Sequence, residues 1–239
     1  MKIALVGYGN MGQEIEEVVK LQDKHEISSV SSESKGFDEE GIKNADVVID
    51  FSSPETAIEN IRRISALGKN IVMGTSGWYD KISEVEQIIA DAGTGLIYGQ
   101  NFAIGTNIFF KLVSEASRLM SKYGSYDVFG YEVHHSGKKD SPSGTAFKTA
   151  ENILANFPSK TKLETGRLDR KIEKDELHFA SIRGGRSPGM HEVTFDSEAD
   201  SITLSVQNHS RRGYAEGSVM AAEFIFDKKG VFAFDSLFE

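Results

Sequence analysis

The run Tyr131-Glu132-Val133-His134-His135-Ser136-Gly137-Lys138-Lys139-Asp140-Ser141-Pro142-Ser143-Gly144-Thr145-Ala146 gathers more chemically capable side chains than any other stretch of the sequence. Histidine is the usual proton donor near neutral pH, and an ammonium a few residues on at Lys138 can hold an anion or supply a second proton. Ser143-Gly144-Thr145 then enters a segment of helical composition, Ala146-Phe147-Lys148-Thr149-Ala150. Backbone N–H groups at such a helix start point at a bound anion. The combination implies an acid catalyst beside a carboxylate or phosphate clamp. Taken alone, the run would fit a solvated polar turn equally well. It follows an expected strand, Asp127 to Val133, and the rest of the chain gives it company.

A buried strand is expected from Lys2 to Val6, followed at once by Gly7-Tyr8-Gly9-Asn10-Met11-Gly12 and by Ile15, Val18 and Val19 at helical spacing. Strand, glycine turn and helix are the context in which this spacing means dinucleotide binding. One glycine makes the turn, one lets a pyrophosphate approach, and one packs the helix on the sheet. Glu33, 21 residues past Gly12, follows a second strand, Glu26 to Val30, and suits an adenosine ribose. Lys35 beside it suits a 2′-phosphate, so NADH and NADPH both remain open. Both charges fit equally well in a polar loop spanning Ser31 to Lys43.

Further strands are expected at Ala45 to Phe51, Asn70 to Met73 and Gly95 to Tyr98. Between them, Ser53 as N-cap and Pro54 at the first helical position predict a helix burying Ala57, Ile58, Ile61 and Ile64. Ile82, Val85, Ile88 and Ile89 mark the next helix. Alternation of this kind predicts a doubly wound parallel sheet whose ligands lie at the carboxyl ends of its strands. Phe51, Gly74-Thr75-Ser76 and Gln100-Asn101-Phe102-Ala103 all fall at that edge and are cofactor-binding candidates.

Past Ile104 the pattern changes. A long helix carries Ile108, Phe109, Leu112, Val113, Ala116, Leu119 and Met120, and strands follow at Asp127 to Val133, Leu177 to Ile182, Met190 to Phe195 and Ile202 to Val206. One helix, Ala146 to Ala155, interrupts them, which predicts a mixed or antiparallel sheet and a second domain. Lys160 to Glu176 reads as a charged excursion, and Tyr214 to Phe226 as a closing helix with Val219, Ala222 and Phe226 on one face. The expected domains are 1–104, with 212–239 returning to it, and 105–211.

Composition narrows the function classes. The chain has 239 residues and a net charge of −9, which argues against general nucleic-acid or anionic-membrane binding. No apolar run is long enough to span a bilayer, and nothing in the sequence directs the chain out of the cytoplasm. Without cysteine there is no disulfide, thiolate metal site or cysteine nucleophile. His134 and His135, as strand neighbours, point to opposite faces and do not share one ion, so no metal is expected. His178 and His191 read as hydrogen-bonded framework groups.

With both halves in view, the chain resembles the bacterial dihydrodipicolinate reductases, also called 4-hydroxy-tetrahydrodipicolinate reductases. The run Glu132 to Ala146 matches their His-His-x-x-Lys-x-Asp-x-Pro-Ser-Gly-Thr-Ala signature without a gap, and the glycine turn, Asp50-Phe51-Ser52, Gly74-Thr75-Ser76-Gly77 and Asn101-Phe102 fit in order. The resemblance implies a Rossmann-type doubly wound parallel sheet plus a smaller α+β substrate and oligomerisation domain. It implies NADH- or NADPH-dependent reduction of a small cyclic dicarboxylate with loss of water, in diaminopimelate and lysine biosynthesis, by a homotetramer. By the same resemblance His134 and Lys138 are catalytic, and His135, Gly144 and Thr145 hold substrate. Which of His134 and Lys138 delivers the proton stays open.

Overall fold

The computed structural model describes Met1 to Phe238 and divides into two compact units, Met1–Ile104 with Arg211–Glu239, and Gly105–Ser210. The first contains β1 (Lys2–Val6), α1 (Asn10–Gln22), β2 (Glu26–Ser31), α2 (Glu39–Lys43), β3 (Val47–Asp50), α3 (Ala57–Ala66), β4 (Asn70–Met73), α4 (Ile82–Ala92) and β5 (Gly95–Tyr98). The second contains α5 (Ile104–Met120, starting one residue earlier), β6 (Asp127–His134), α6 (Gly144–Asn156), β7 (Lys162–Glu164), β8 (Glu176–Arg183), β9 (Met190–Asp196) and β10 (Ser201–Gln207). The chain then returns to the first unit as α7 (Arg212–Ile225) and β11 (Gly230–Ala233).

The first unit is a six-stranded sheet in the order β11-β5-β4-β3-β1-β2, parallel throughout. β3 and β4 are buried at every position, because helices cover both faces of a parallel sheet and both faces must then be apolar. Ile15, Val18 and Val19 of α1 pack on one face with Ala222 and Ile225 of α7; Ile61 and Ile64 of α3 pack on the other with Val85 and Ile89 of α4. Each of these valines and isoleucines contributes about 1.5–3 kcal/mol by leaving water. The strand order reverses between β1 and β3, so the loops after these two strands flank the crevice where such sheets bind ligands.

The second unit is a mixed sheet in the order β10-β9-β6-β8-β7, antiparallel on the β10 side and parallel from β6 to β7. Phe109 and Val113 of α5 and Ala150 and Ile153 of α6 pack with Phe179, Val193 and Phe195 from its strands.

Two expectations are corrected, and two features went unforeseen. α3 does not begin at Ser53-Pro54: these residues form a turn closed by Thr56 N–H donating to the Ser53 carbonyl at 3.2 Å, and the helix starts at Ala57. Proline's fixed φ serves the second position of such a turn as well as a helix start. Phe226 is 52% exposed, and Ile225 takes the core position instead. The charged excursion contains β7 and is pinned by Lys160, whose buried ammonium donates to the carbonyls of Lys174 and Glu176 and pairs with Asp127. Finally β11, a short half-buried strand opening on a glycine, adds a sixth strand beside β5 that no alternating pattern announced.

Candidate active site

In the first unit the fingerprint spans the β1–α1 loop and the first turn of α1. Gly7 has φ +88°, and a Cβ there would strike the Phe51 carbonyl, so only glycine lets β1 turn beside β3. A Cβ on Gly12 would strike the carbonyl of Gly7, which is the close helix packing its position requires. Gly9 faces open space, and the first turn of α1 has neither a side-chain cap nor an acidic residue. Its N–H groups therefore suit a pyrophosphate. A cleft of about 680 Å³ opens here, lined in part by Gly7, Tyr8, Gly9, Glu33 and Phe51. Glu33 and Lys35 are exposed on the turn after β2, and Lys35 Nζ stands 5.9 Å from the Tyr8 ring centroid. Sequence reading missed Arg63, which lines the same cleft, stacks at 3.8 Å on Phe37 and pairs with Glu39.

Asn10 and Met11 open α1, while Gly74, Thr75 and Ser76 follow β4, and Gln100 to Ala103 follow β5, all at the carboxyl edge of the sheet. Asp50, the last residue of β3, ties this edge together. Its Oδ1 accepts from Ser52 N–H at 2.9 Å, Ser52 Oγ at 2.7 Å and Thr75 Oγ1 at 3.1 Å, and its Oδ2 accepts from Asn60 Nδ2 at 2.9 Å. Burial raises its pKa, and the hydrogen bonds from Ser52, Asn60 and Thr75 offset only part of that. Gly74 lies against the Phe51 ring, which meets Phe102 edge-on at 5.9 Å. Asn101 accepts from Ala103 N–H at 2.8 Å and hydrogen-bonds Tyr214. Ser76 and Gln100 are exposed.

In the second unit β6 leads into the histidine-lysine run. Alternate residues on a strand share a face, so Glu132 and His134 point inward together while His135 points out. Glu132 is wholly buried, His134 is 7% exposed, and His135 is exposed. Pairing brings Ser181 of β8 and His191 of β9 alongside Glu132, and Arg183 of β8 alongside His134. Glu132 Oε1 accepts from Ser143 N–H at 2.9 Å, Ser181 Oγ at 2.9 Å and Arg183 Nη2 at 2.7 Å. Oε2 accepts from the Ser143 hydroxyl and lies 3.3 Å from His134 Nδ1 and 3.8 Å from His191 Nδ1. Burial alone would raise Glu132, but the donors from Ser143, Arg183 and Ser181 outweigh it and hold the carboxyl at about 2.

Ser143 also caps α6, its Oγ accepting from Ala146 N–H at 3.1 Å. That leaves Gly144 and Thr145 as the first helical residues, the former exposed and the latter half-buried. Lys138 is half-buried and pairs with Asp140 at 2.8 Å, and Arg183 also donates to the Asp140 carbonyl at 2.7 Å. Burial lowers His134; Glu132 and Asp140 oppose the shift while Lys138 and Arg183 add to it. Its ring is therefore mostly neutral near pH 7. His191 is not the hydrogen-bonded framework group expected: burial pushes it to about 4, and its Nδ1 has no hydrogen-bond partner among the described residues. His178 does reach a carbonyl, that of Gly166, at 3.3 Å.

Two family models cover nearly all of the chain, one described as dihydrodipicolinate reductase, N-terminus, over residues 1–102, the other as its C-terminus, over residues 105–238. The chain belongs to the dihydrodipicolinate reductase family. A 4-hydroxy-tetrahydrodipicolinate reductase of Christiangramia forsetii is 38% identical over 97% of this chain and 95% of its own length. Another, from Methanocaldococcus jannaschii, is 34% identical over 94% of this chain and 77% of its own. The fold is that of a dipicolinate-bound dihydrodipicolinate reductase from Paenisporosarcina sp. TG-14, with a TM-score of 0.79 at 24% identity over 98% and 97% of the two chains. The dihydrodipicolinate reductase fold is thus present in both units. Sequence reading found the His134–Lys138 run and the glycine turn, but did not single out Glu132, Ser143, Ser181, Arg183 or Asp50 as members of these sites.

Proposed function

We propose that this chain reduces 4-hydroxy-tetrahydrodipicolinate to tetrahydrodipicolinate with loss of water, using NADH or NADPH, in diaminopimelate and lysine biosynthesis. The observation that supports the residue roles is that one buried carboxylate, Glu132, both receives the α6 cap residue Ser143 and lies 3.3 Å from His134 Nδ1, with Lys138 charging the same neighbourhood. The open backbone at Gly9 and the uncapped start of α1 fit the cofactor's pyrophosphate, and Phe51, Gly74 and Asn101 to Ala103 share the same sheet edge. When bound, the nicotinamide supplies the hydride.

The protein supplies protons and charge. Reduction consumes one hydride and one proton, and the departing hydroxyl leaves as water. Negative charge building on the conjugated ring is lowered in energy by a positioned acid, the role assigned to His134 and Lys138. The N–H groups of Gly144 and Thr145 at the start of α6 hold one substrate carboxylate, and His135 contacts substrate. A dicarboxylate brings the negative charge that favours protonation of His134.

The assembly proposed is a homotetramer. Phe129, Ile182 and Ile202 of the mixed sheet are each at least 40% exposed, which supports a role for that sheet in association. Among the described residues no helix is long and apolar enough to cross a membrane, and the proposed setting is the cytoplasm.

The test follows absorbance of the reduced nicotinamide while the protein meets substrate generated in situ by a synthase from pyruvate and aspartate semialdehyde, with NADH and NADPH in parallel. Substrate-dependent oxidation is expected. His134→Gln should keep cofactor affinity and lose about 10²-fold or more in turnover. No oxidation by folded, cofactor-binding protein would refute the reductase reading, and an unchanged rate in the variant would remove His134 from the chemistry.

A further inference from the structure

His134 is buried with its two ring nitrogens in different surroundings. Nδ1 faces Glu132 Oε2 at 3.3 Å. Nε2 faces Gly189, where a Cβ would stand only 2.9 Å away, so the absence of a side chain at 189 keeps that nitrogen open. The charged and titratable groups around the ring are Glu132 from its own strand, Arg183 from β8, His191 from β9, and Lys138 and Asp140 from the following loop.

A neutral imidazole has one N–H and one lone pair. A lone pair on Nδ1 would face a carboxylate oxygen across 3.3 Å, acceptor against acceptor, between two buried side chains. An N–H there is attracted instead. The capacity exists, because Oε1 already accepts three donors whereas, among the described residues, Oε2 accepts only from the Ser143 hydroxyl. At 3.3 Å the two atoms are within reach but out of hydrogen-bond alignment, so Nδ1 makes no hydrogen bond among the described residues. Such bonds in ligand-free enzymes often align only when substrate binds.

We propose that Glu132 is the positioning residue of this site: it holds a proton on His134 Nδ1, leaves Nε2 as the atom that exchanges a proton with substrate, and fixes the α6 cap to the same carboxylate. Proton delivery and carboxylate binding are thereby referenced to one buried anion. The inference rests on the acid/base reading of His134 above. A rival use of the cluster is metal binding, since ligand atoms of Glu132, His134 and His191 lie within 4.8 Å of one another. The Arg183 guanidinium at 2.7 Å already neutralises the carboxylate, which favours protons over a divalent ion here.

The decisive measurement is ¹⁵N NMR of the histidine rings in ligand-free wild-type protein, read at a pH where His134 is neutral. The expected species is the Nδ1–H tautomer; an Nε2–H tautomer overturns the proposal, and this readout needs neither a variant nor substrate. Glu132→Gln presents an amide in place of the carboxylate, and should shift the tautomer balance and lower kcat by about 10²-fold or more, with cofactor KM changed less than about 2-fold. A wild-type kcat in that variant, or wild-type activity that chelation abolishes and Zn²⁺ restores, would also overturn it. Wild-type protein with the Nδ1–H tautomer but no turnover would sink the reductase reading while supporting the positioning.

Discussion

Asp50 and Glu132 are both fully buried carboxylates that tie loops to strand ends, yet the two units stabilise them differently. Among the described residues Asp50 is met only by neutral donors, from Ser52, Asn60 and Thr75, and burial leaves its pKa above the ordinary value. Glu132 is met by the Arg183 guanidinium as well as by Ser143 and Ser181, and is held at about 2. Neutral dipoles can hold the shape of a cofactor-binding edge. At Glu132 the donors from Ser143, Arg183 and Ser181 together outweigh burial, so this carboxylate stays ionised beside two buried histidines.

The comparison breaks most readily at Arg183. Arg183→Met leaves Glu132 buried without its cation, and should cost about 3–5 kcal/mol in urea unfolding, because removing one partner exposes the whole burial penalty of the other. A loss below about 1 kcal/mol would mean that the neutral donors suffice in both units.

Acid should separate the two carboxylates next. Glu132 has a folded value of about 2 against 4.5, so its stabilisation is complete above 4.5 and is lost as pH falls towards 2, about 3 kcal/mol in all. His191, at about 4 against 6.5, acts with the same sign at higher pH: folding holds it neutral, and stability falls between 6.5 and 4. Asp50 has the opposite sign, since a raised folded value makes its contribution most favourable when protonated. Urea midpoints of Glu132→Gln and wild type between pH 7 and 3 check this: the variant should lose less stability over the lower part of that range.

The smallest effect is expected at Asp50→Asn. An amide oxygen can still accept from Ser52 and Thr75, and no charge needs burial, so the cost at pH 7 should be about 1 kcal/mol or less. A loss as large as that of Arg183→Met would show that Asp50 is also needed as an anion.

Much of this was legible in the sequence because the signals are local. The glycine spacing sits directly between β1 and α1, and His134, Lys138 and Gly144-Thr145 lie within one short run. Glu132 carried a readable sign, two residues before His134 on a strand and therefore on its face. Asp50 did too, as an acid closing the apolar run Val47-Val48-Ile49. Ser181, Arg183 and His191 did not, for their place depends on the register of β8 and β9 against β6, which side-chain periodicity does not specify. The turn at Ser53-Pro54 misled because proline's φ fits both a helix start and a turn.

The first unit is assembled from two separated stretches of chain, and that has a consequence for synthesis. Ala215, Val219, Ala222, Ile225 and Phe234 complete the core that Ile3, Leu5 and Ile15 begin. A ribosome delivers β1 first and β11 last, so the glycine turn leaves the exit tunnel long before the residues that bury its supporting helix. Nascent chains arrested before Arg212 would hold the whole fingerprint, yet one face of its sheet would lack α7.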